Sequence, residues 1–298
     1  MPDHPEKRVD LHTHSTASDG LYSPSDLLQH ARQVGLDVLA LTDHDSTEGL
    51  DEAEGAAQAL DIDFIPGIEI NTDISGGEVH VLGYFLEYKR PAFQATLQIL
   101  RDARVRRGQR MVELLNEQGV NISWRRVREI AQGAVGRPHV AKALMEAGYV
   151  QSVSEAFEKY IGSNCPAYVP RYKLNPEDAI RLIASANGLP VMAHPLTTPG
   201  LTVMREWLPA LVEAGLVGLE TYYGAYTQEQ ERSLCALADE YQLIATGGSD
   251  YHGPGLHPTP LGGHAVPYEA VERLKAASAS RHKITPAPFT LPPPVKES

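Results

Sequence analysis

The 298-residue sequence predicts an α/β fold, a seven-stranded barrel of (β/α) units with a helical insertion. Three observations predict it. Strand and helix signals alternate before residue 90 and after residue 175, as a barrel requires. Between residues 91 and 165 that alternation stops, and helical patterns follow one another. Histidines and carboxylates stand at the ends of apolar strand-like segments, and a barrel rim gathers strand ends into one cleft.

Seven short apolar segments carry the strand signal. They are rich in Val, Ile and Leu and are bounded by polar or turn-forming residues. The fourth follows the third across Ser75-Gly76-Gly77, which predicts a hairpin-like pair. The predicted strands are residues 9–11, 36–41, 64–70, 78–85, 189–193, 217–222 and 243–246.

The helices of the barrel have start and stop signals of their own. Ser23-Pro24 predicts a capped helix start, and Gly35 predicts the end of that helix. Asn175-Pro176 repeats the start signal before the fifth strand. A segment rich in Glu and Ala, residues 47–60, predicts the helix between the second and third strands.

The middle of the chain predicts a small helical domain over the open end of the barrel. Its helices are expected at residues 91–119, 122–131, 139–147 and 153–160. The predicted domains are therefore a discontinuous barrel, residues 8–90 and 166–285, and an insertion, residues 91–165. Residues 286–298 contain five prolines and predict an extended or disordered tail.

Composition narrows the class of protein. The formal net charge of −12 argues against a stable, nonspecific nucleic-acid complex. Residues 101–128 nevertheless hold eight arginines against three acids, which fits either a solvated helix face or a basic wall that attracts a polyanionic substrate. Only two cysteines, no signal-like N-terminal segment and no apolar run near the roughly 18 residues of a membrane span predict a cytoplasmic protein without membrane contact.

Side chains that can bind metal ions recur at the strand ends. His12 and His14 project from one face of a strand, so both imidazoles can reach one ion. Glu69 lies in an apolar strand, where either an ion or a salt bridge would offset the cost of a buried carboxylate. Imidazoles and carboxylates suit Mn, Fe(II) or Zn. The candidate ligands are His12, His14, Asp19, His44, Glu69, His80, His194, Asp250 and His252.

Four further residues are candidates for contacts around these ligands. Arg137 offers a planar fork suited to phosphate, and an imidazolium at His139 would share the charge; an ordinary helix start at Pro138 is the alternative. Tyr223 offers an aromatic face to a base, or else packs in the core. Glu220 is a candidate for orienting a ligand histidine.

The candidate ligands stand in motifs that resemble the PHP (polymerase and histidinol phosphatase) family of metal-dependent phosphoesterases. The motifs run from residue 10 to residue 252, nearly the whole chain. The resemblance implies a distorted seven-stranded barrel that holds two or three divalent ions. The matching segments are Asp10-Leu11-His12-Thr13-His14 to Ser18-Asp19-Gly20, Thr42-Asp43-His44-Asp45, Gly67-Ile68-Glu69, His194-Pro195 and Gly248-Ser249-Asp250-Tyr251-His252.

The same resemblance implies how the ligands divide and what the site acts on. The insertion with Gly136-Arg137-Pro138-His139 resembles one branch of the family. That branch acts on nucleotides, including 3′,5′-bisphosphonucleosides and the 5′ ends of short RNA. Glu69 would bridge the first two of three ions. The implied groups are His12, His14, Glu69 and Asp250; Glu69, His80 and His194; and Asp19, His44 and His252.

The expected reaction is phosphate-ester hydrolysis by a hydroxide formed from water between paired ions. Arg137 and His139 would stabilise the phosphoryl charge, and His194 or His252 would be either a ligand or the acid that protonates the leaving alkoxide. Alternatives are a histidinol-phosphate or other small phosphomonoester phosphatase, a C–N amidohydrolase, and a noncatalytic module that binds metal or RNA. A carboxylated lysine bound to the metal would favour the amidohydrolase, but the sequence has no lysine at a strand end that could supply one. The oligomeric state is left open.

Overall fold

The computed structural model describes residues 7–74, 77–131, 133–170, 173–197, 201–256, 258–281 and 287–291. Within these residues, seven strands form a single sheet in which every strand pairs with its neighbours in chain order. The strands are β1 (Val9–Asp10), β2 (Val38–Leu41), β3 (Asp63–Ile74), β4 (Gly77–Tyr84), β5 (Leu189–Met192), β6 (Gly218–Tyr223) and β7 (Ile244–Gly248).

The sheet curves until its last strand meets its first. The backbone N–H of Leu11 donates to the carbonyl of Gly247 at 3.2 Å, and Thr13 forms a parallel bridge with Tyr251. The prediction of an α/β fold with a seven-stranded barrel is therefore confirmed. The barrel is nearly closed, with helices around it.

One strand explains the distortion of this barrel. β4 runs antiparallel to both β3 and β5, whereas the other neighbouring strands are parallel. The N-terminal half of β4 consequently lies at the rim where the parallel strands end. His80, opposite Asn71 in the pairing with β3, reaches that rim from the first half of its strand. The turn predicted at Ser75-Gly76 lies outside the described residues.

Helices connect the strands and also form the insertion. In the barrel they are α1 (Pro24–Gln33), α2 (Leu50–Leu60), α7 (Pro176–Ser185), α8 (Leu201–Ala214), α9 (Gln228–Glu240) and α10 (Tyr268–Arg281). Between β4 and α7 lie α3 (Pro91–Glu117), α4 (Trp124–Ala131), α5 (Arg137–Glu146), α6 (Val153–Ala156) and a π-helical turn (Phe157–Ile161).

The predicted helix caps are present. Ser23 Oγ accepts from the backbone N–H of Asp26 at 3.1 Å, and Asn175 Oδ1 accepts from that of Asp178 at 2.7 Å. α2 begins at Leu50, three residues later than predicted, and the Thr47 hydroxyl outside the helix accepts from Gln94 Nε2 at 2.8 Å. These bonds satisfy N–H groups and side chains that helix starts would otherwise leave unpaired.

The barrel interior is filled from alternate positions of the strands. Val38 and Ala40 of β2 and Val191 of β5 belong to one buried cluster, which α10 completes with Val271 and Leu274. Side chains two residues apart share a face of a strand, so apolar side chains at alternate positions point into the barrel. The polar residues lie beyond these positions, at the rim where the strands end.

The insertion has a hydrophobic cluster of its own, but α3 belongs to both cores. Leu97 and Leu100 pack with Ile68 in a second buried cluster of the barrel, which we call the barrel cluster. Met111 and Leu115 pack instead among the other insertion helices. The first half of α3 thus fixes the insertion to the barrel. The division of the chain at residue 91 stays a prediction.

The described part of the tail, residues 287–291, has neither helix nor strand, and the remaining residues of the predicted Pro-rich tail lie outside the described chain. Phe289 and Leu291 pack against the barrel cluster. Among the described residues, no helix combines the length and apolar character needed to cross a membrane.

Candidate metal centre

The end of β1 places two imidazoles at the centre of the rim. His12 and His14 are buried, and their Nε2 atoms each lie 3.3 Å from Glu69 Oε2. This agrees with the same-face geometry expected for residues two apart after a strand. Both Nε2 atoms also face Asp250 Oδ1, at 3.3 and 3.1 Å.

Glu69 is the hub of the site. Its side chain is fully buried, and each of its carboxylate oxygens faces a different set of imidazoles. Oε1 lies 2.7 Å from His80 Nδ1 and 3.1 Å from His194 Nε2. Oε2 faces His12 and His14, as above, and lies 2.9 Å from His44 Nδ1. A carboxylate with this division can bridge two ions.

A second carboxylate, Asp19, stands at the outer side of the same cleft. Its Oδ1 lies 3.3 Å from His252 Nε2, and its Oδ2 lies 3.9 Å from His44 Nε2. His44 therefore turns one ring nitrogen toward Glu69 and the other toward Asp19. The rings of His14 and His252 are stacked at 4.0 Å between these carboxylates.

Three groups of ligand atoms are close enough to hold an ion each. Within each group the atoms all lie within 4.8 Å of one another. The first matches the predicted group, and the second holds His44 where His194 is predicted, although His194 contacts the same Glu69 oxygen. The third adds His14 to the predicted set. The groups are His12, His14, Glu69 and Asp250; His44, Glu69 and His80; and His14, Asp19, His44 and His252.

The buried polar atoms of these groups fit a bound cation. Among the described residues, several atoms that face the cleft lie near one another without the geometry of a hydrogen bond, and a buried polar atom without such a bond costs about 1–3 kcal/mol. A divalent ion would satisfy several of them at once. The atoms are His12 Nε2, both ring nitrogens of His14, Asp19 Oδ1, His44 Nδ1 and Glu69 Oε2.

Glu220 holds two of the candidate ligands in place. This fully buried carboxylate lies 3.0 Å from His12 Nδ1 through Oε1, and its Oε2 accepts from the backbone N–H of His194 at 2.7 Å. A carboxylate on the far nitrogen fixes the ring and leaves Nε2 facing the cleft. This geometry supports the orienting role expected for Glu220.

The charges of the cleft are strongly coupled. Burial opposes protonation of His80 and His252, but the carboxylates outweigh it: Glu69 and Glu78 raise the pKa of His80 to about 9, and Asp19 and Asp250 raise that of His252 to about 10. Burial alone would raise the pKa of Glu69, yet the surrounding imidazoles hold it well below the ordinary value. Without ions, protons on these histidines balance the carboxylates.

Metal binding should therefore release protons and strengthen with pH. Because Asp19 and Asp250 favour a protonated His252 when no ion is bound, displacement of that proton should weaken apparent Mn²⁺ affinity about tenfold for each pH unit below the His252 pKa. Calorimetric titrations at pH 6 and pH 8, in buffers of different ionisation enthalpy, measure both effects. Equal affinity at the two pH values, with no buffer dependence of the heat, would contradict these charge states.

Arg137 and His139 lie at the start of α5, which begins with Pro138 in its first turn as the alternative interpretation expects. Arg137 Nη2 is 2.9 Å from Glu78 Oε1, and its guanidinium lies 5.0 Å from the ring centre of Phe157.

The expected imidazolium at His139 is wrong. Its side chain is buried, its Nδ1 accepts from the N–H of Gly136 at 2.9 Å, and burial lowers its pKa to about 4. His139 is thus neutral at physiological pH. A role for it in substrate contact stays a prediction, and its burial disfavours the cationic form.

Tyr223 is placed differently from the expected base-stacking position. Only 3% of it is exposed, and its hydroxyl donates to Asp250 Oδ2 at 2.9 Å. Its ring packs against His194 and Tyr226, with centroids 5.6 and 5.0 Å away. This burial favours the packing alternative, and the hydroxyl orients a candidate ligand; a role for Tyr223 in substrate contact stays a prediction.

The arginines of residues 101–128 divide between the two interpretations. Arg104 points inward from α3, with Nε 2.7 Å from the buried Asp45 Oδ2, and Arg107 is partly buried beside it. Arg110 is exposed and pairs with Glu113 at 3.0 Å on its own helix. One face of α3 therefore turns two arginines inward, and the other is solvated; attraction of a polyanionic substrate by these arginines stays a prediction.

Sequence reasoning missed the connection between α3 and the ligands. Arg104 donates to Asn71 Oδ1, and Asn71 Nδ2 lies 2.6 Å from His80 Nε2. The insertion thus reaches a candidate ligand through one amide side chain. No spacing in the sequence relates these residues, because three separate elements bring them together.

Comparisons with known proteins place the site in context. Residues 10–173 match the family model described as PHP domain. A Haemophilus influenzae protein named 5′-3′ exoribonuclease is 34% identical over 83% of this chain and 91% of its own length. A Chromobacterium violaceum protein named 3′,5′-nucleoside bisphosphate phosphatase is 32% identical over 83% of this chain and 88% of its own.

The fold comparison gives the same picture. The crystal structure of a Bifidobacterium adolescentis protein described as a metal-dependent phosphoesterase superposes with a TM-score of 0.84 at 32% identity. The match covers 92% of this chain and 97% of that one.

Proposed function

The chain belongs to the PHP domain family and is a metal-dependent phosphoesterase, and on that premise we propose that it acts on nucleotides. The substrates proposed are 3′,5′-bisphosphonucleosides, such as adenosine 3′,5′-bisphosphate, and the 5′ ends of short RNA. The names of the two relatives above support this class, since one is called a nucleoside bisphosphate phosphatase and the other a 5′-3′ exoribonuclease.

The candidate ligands would hold two or three divalent ions, Mn, Fe or Zn, in the three groups described above. Such ions supply a water activated for attack on phosphorus and positive charge beside the phosphoryl oxygens. The protein's part is to fix the ligands: Glu220 orients His12, and the Tyr223 hydroxyl orients Asp250.

The observation that carries the proposal is a pair of cations beside the ligands. Arg137 Nη2 and Lys173 Nζ lie 2.9 and 2.7 Å from Glu78 Oε1, while Glu78 Oε2 is 4.0 Å from His80 Nε2. A carboxylate already occupies a position between two cations at the edge of the cleft. A phosphate group has the charge and acceptor oxygens to take its place.

His194 and His252 are proposed to stand nearest the leaving group. Both are partly exposed at the mouth of the cleft, with side-chain exposures of 11% and 18%. His252 donates through Nδ1–H to the carbonyl of Asp250 at 2.8 Å, which turns Nε2 toward the cleft. From that position Nε2 can serve as a ligand or deliver a proton to the departing alkoxide.

Arg137→Ala should raise KM for adenosine 3′,5′-bisphosphate and lower kcat/KM about 10- to 100-fold. A charge-assisted hydrogen bond contributes about 1.5–3 kcal/mol, and 1.4 kcal/mol is a factor of ten. Arg137→Lys should recover part of the loss, because it keeps the charge but not the fork. Arg110→Ala, on the exposed face of α3, is the matched control and should behave as wild type. Unchanged kinetics in Arg137→Ala would remove this residue from the substrate site.

The proposed substrate class is tested by phosphate release from Mn-loaded protein. Adenosine 3′,5′-bisphosphate and a 5′-phosphorylated RNA oligonucleotide are compared with histidinol phosphate. Higher kcat/KM on either nucleotide supports the proposal. A preference for histidinol phosphate would overturn it while keeping the phosphoesterase chemistry.

A further inference from the structure

Asp43 is a buried carboxylate that belongs to none of the three groups of ligand atoms. It directly precedes His44 and is 1% exposed. Its Oδ1 accepts from the N–H of Ser15 at 2.8 Å and from Ser18 Oγ at 2.6 Å, and its Oδ2 accepts from Ser15 Oγ at 2.7 Å. All three bonds come from one segment, residues 15–20, which we call the Asp19 loop.

The Asp19 loop depends on these bonds for its position. Within the loop, Ser15 O accepts from the N–H groups of Ser18 and Gly20, at 3.1 and 2.9 Å, so the segment is a tight turn. Asp19 itself projects into the cleft, where its Oδ1 lies 3.3 Å from His252 Nε2 and its Oδ2 lies 3.9 Å from His44 Nε2. The backbone of the loop, and the groups that hold that backbone, determine whether the carboxylate reaches these imidazoles.

The insertion holds the opposite side of the loop. The N–H of Ala134 donates to the carbonyl of Ala17 at 3.2 Å. A Cβ atom at Gly133 would lie 2.6 Å from the carbonyl oxygens of both Thr16 and Ala17, closer than any side chain can approach. The loop is thus enclosed between Asp43 on the barrel side and the residue 133–134 backbone on the insertion side.

The neighbouring acid of the same motif, Asp45, has different partners. Asp45 lies on the other side of His44, where its Oδ2 is 2.7 Å from Arg104 Nε and its Oδ1 accepts from the N–H of Asn71 at 3.2 Å. Asp43 thus binds residues 15 and 18, whereas Asp45 binds Arg104 and the backbone of Asn71. The bonds to Ser15 and Ser18 connect Asp43 to the segment that carries Asp19.

We propose that Asp43 is a positioning residue that fixes Asp19 relative to His14, His44 and His252, and so sets the affinity of that group for its divalent ion. The proposal rests on the ligand role proposed for Asp19 and adds to it a residue that is not itself a ligand. Without the hydrogen bonds from Ser15 and Ser18 to Asp43, the loop backbone can shift. The Asp19 oxygens would then move away from the imidazoles with which they form an ion site.

The test counts ions in Asp43→Ala and Asp43→Asn. Both proteins are equilibrated with Mn²⁺, freed of excess, and measured for bound manganese, with a chelator competition to give affinities. Hydrogen-bonding partners of a ligand change affinity about 10- to 100-fold. In Asp43→Ala we expect one class of Mn²⁺ site to weaken at least tenfold while the others keep wild-type affinity. Asp43→Asn, which can still accept from Ser15 and Ser18, should fall between.

Two controls separate the possible failures. Asp19→Ala tests the ligand role itself: if it keeps every ion, the premise fails. Leu28→Ala, a fully buried position in α1, reports general loss of stability. An equal loss of manganese in Leu28→Ala would overturn the proposal. So would wild-type affinity in both Asp43 variants when Asp19→Ala has lost an ion. Asp43→Asn with wild-type circular dichroism carries the test if Asp43→Ala does not fold.

Discussion

Asp250→Ala should lower the rate of phosphate release about 10³-fold or more while leaving the fold intact. Asp250 Oδ1 faces His12 and His14 at 3.3 and 3.1 Å, and its other oxygen accepts from Tyr223. Removing it opens the first group of ligand atoms. Ions of this kind supply several kcal/mol of transition-state stabilisation, and each 1.36 kcal/mol is about tenfold in rate.

The measurement is kcat with saturating Mn²⁺ beside circular dichroism of the same preparation. His14→Ala should behave alike, because His14 belongs to two of the three groups. Asp239→Ala, an exposed acid on α9, is the matched control and should keep wild-type activity. A wild-type rate in either Asp250→Ala or His14→Ala would refute the assignment of these side chains as ligands.

Removal of divalent ions should abolish turnover and lower the melting temperature. An ion that binds only the folded protein at 1,000 times its Kd stabilises it by about 4 kcal/mol. For a chain of this size, 1 kcal/mol corresponds to about 2–4 °C, so each such ion removed should lower Tm by about 8–16 °C. The large shift follows from buried atoms such as His14 Nε2 and Glu69 Oε2, which lose the partner that satisfies them.

Scanning calorimetry with and without a chelator measures the shift, and activity is assayed on the same samples. Addition of excess Mn²⁺ should restore both Tm and turnover, which distinguishes ion loss from irreversible damage. Full activity with an unchanged Tm after exhaustive chelation would contradict a metal-dependent reaction in this cleft.

The sequence alone predicted the candidate ligands because their signal is local. A histidine or carboxylate at the end of an apolar strand is costly to bury, and His12 and His14 share a strand face by their spacing alone. The structure brings all nine predicted side chains to one rim. Their assignment as ligands stays a proposal.

The environment of each side chain could not be predicted in the same way. His139 is neutral because α5 buries it and Gly136 donates to its ring, and Tyr223 is buried because Tyr226 and His194 enclose it. Burial and pKa depend on neighbours that are distant in sequence. A local sequence motif does not identify the residues that will surround it in the folded protein.

Secondary structure shows the same limit. The helix starts at Ser23 and Asn175 are confirmed because their caps are local, whereas α8, α9 and α10 were not located individually. α9 does carry a capping box, Thr227 with Gln230, that would have located its start. The antiparallel direction of β4, by contrast, is fixed only by its pairing with both β3 and β5.

The most direct test of the central claim, that these nine side chains hold the catalytic ions, is a crystal structure of the Mn-loaded protein with anomalous diffraction at the manganese edge. The account predicts anomalous peaks within coordination distance of the three groups, with Glu69 between two of them. A protein that needs Mn²⁺ for turnover, but whose peaks lie away from His12, Glu69 and Asp250, would contradict it.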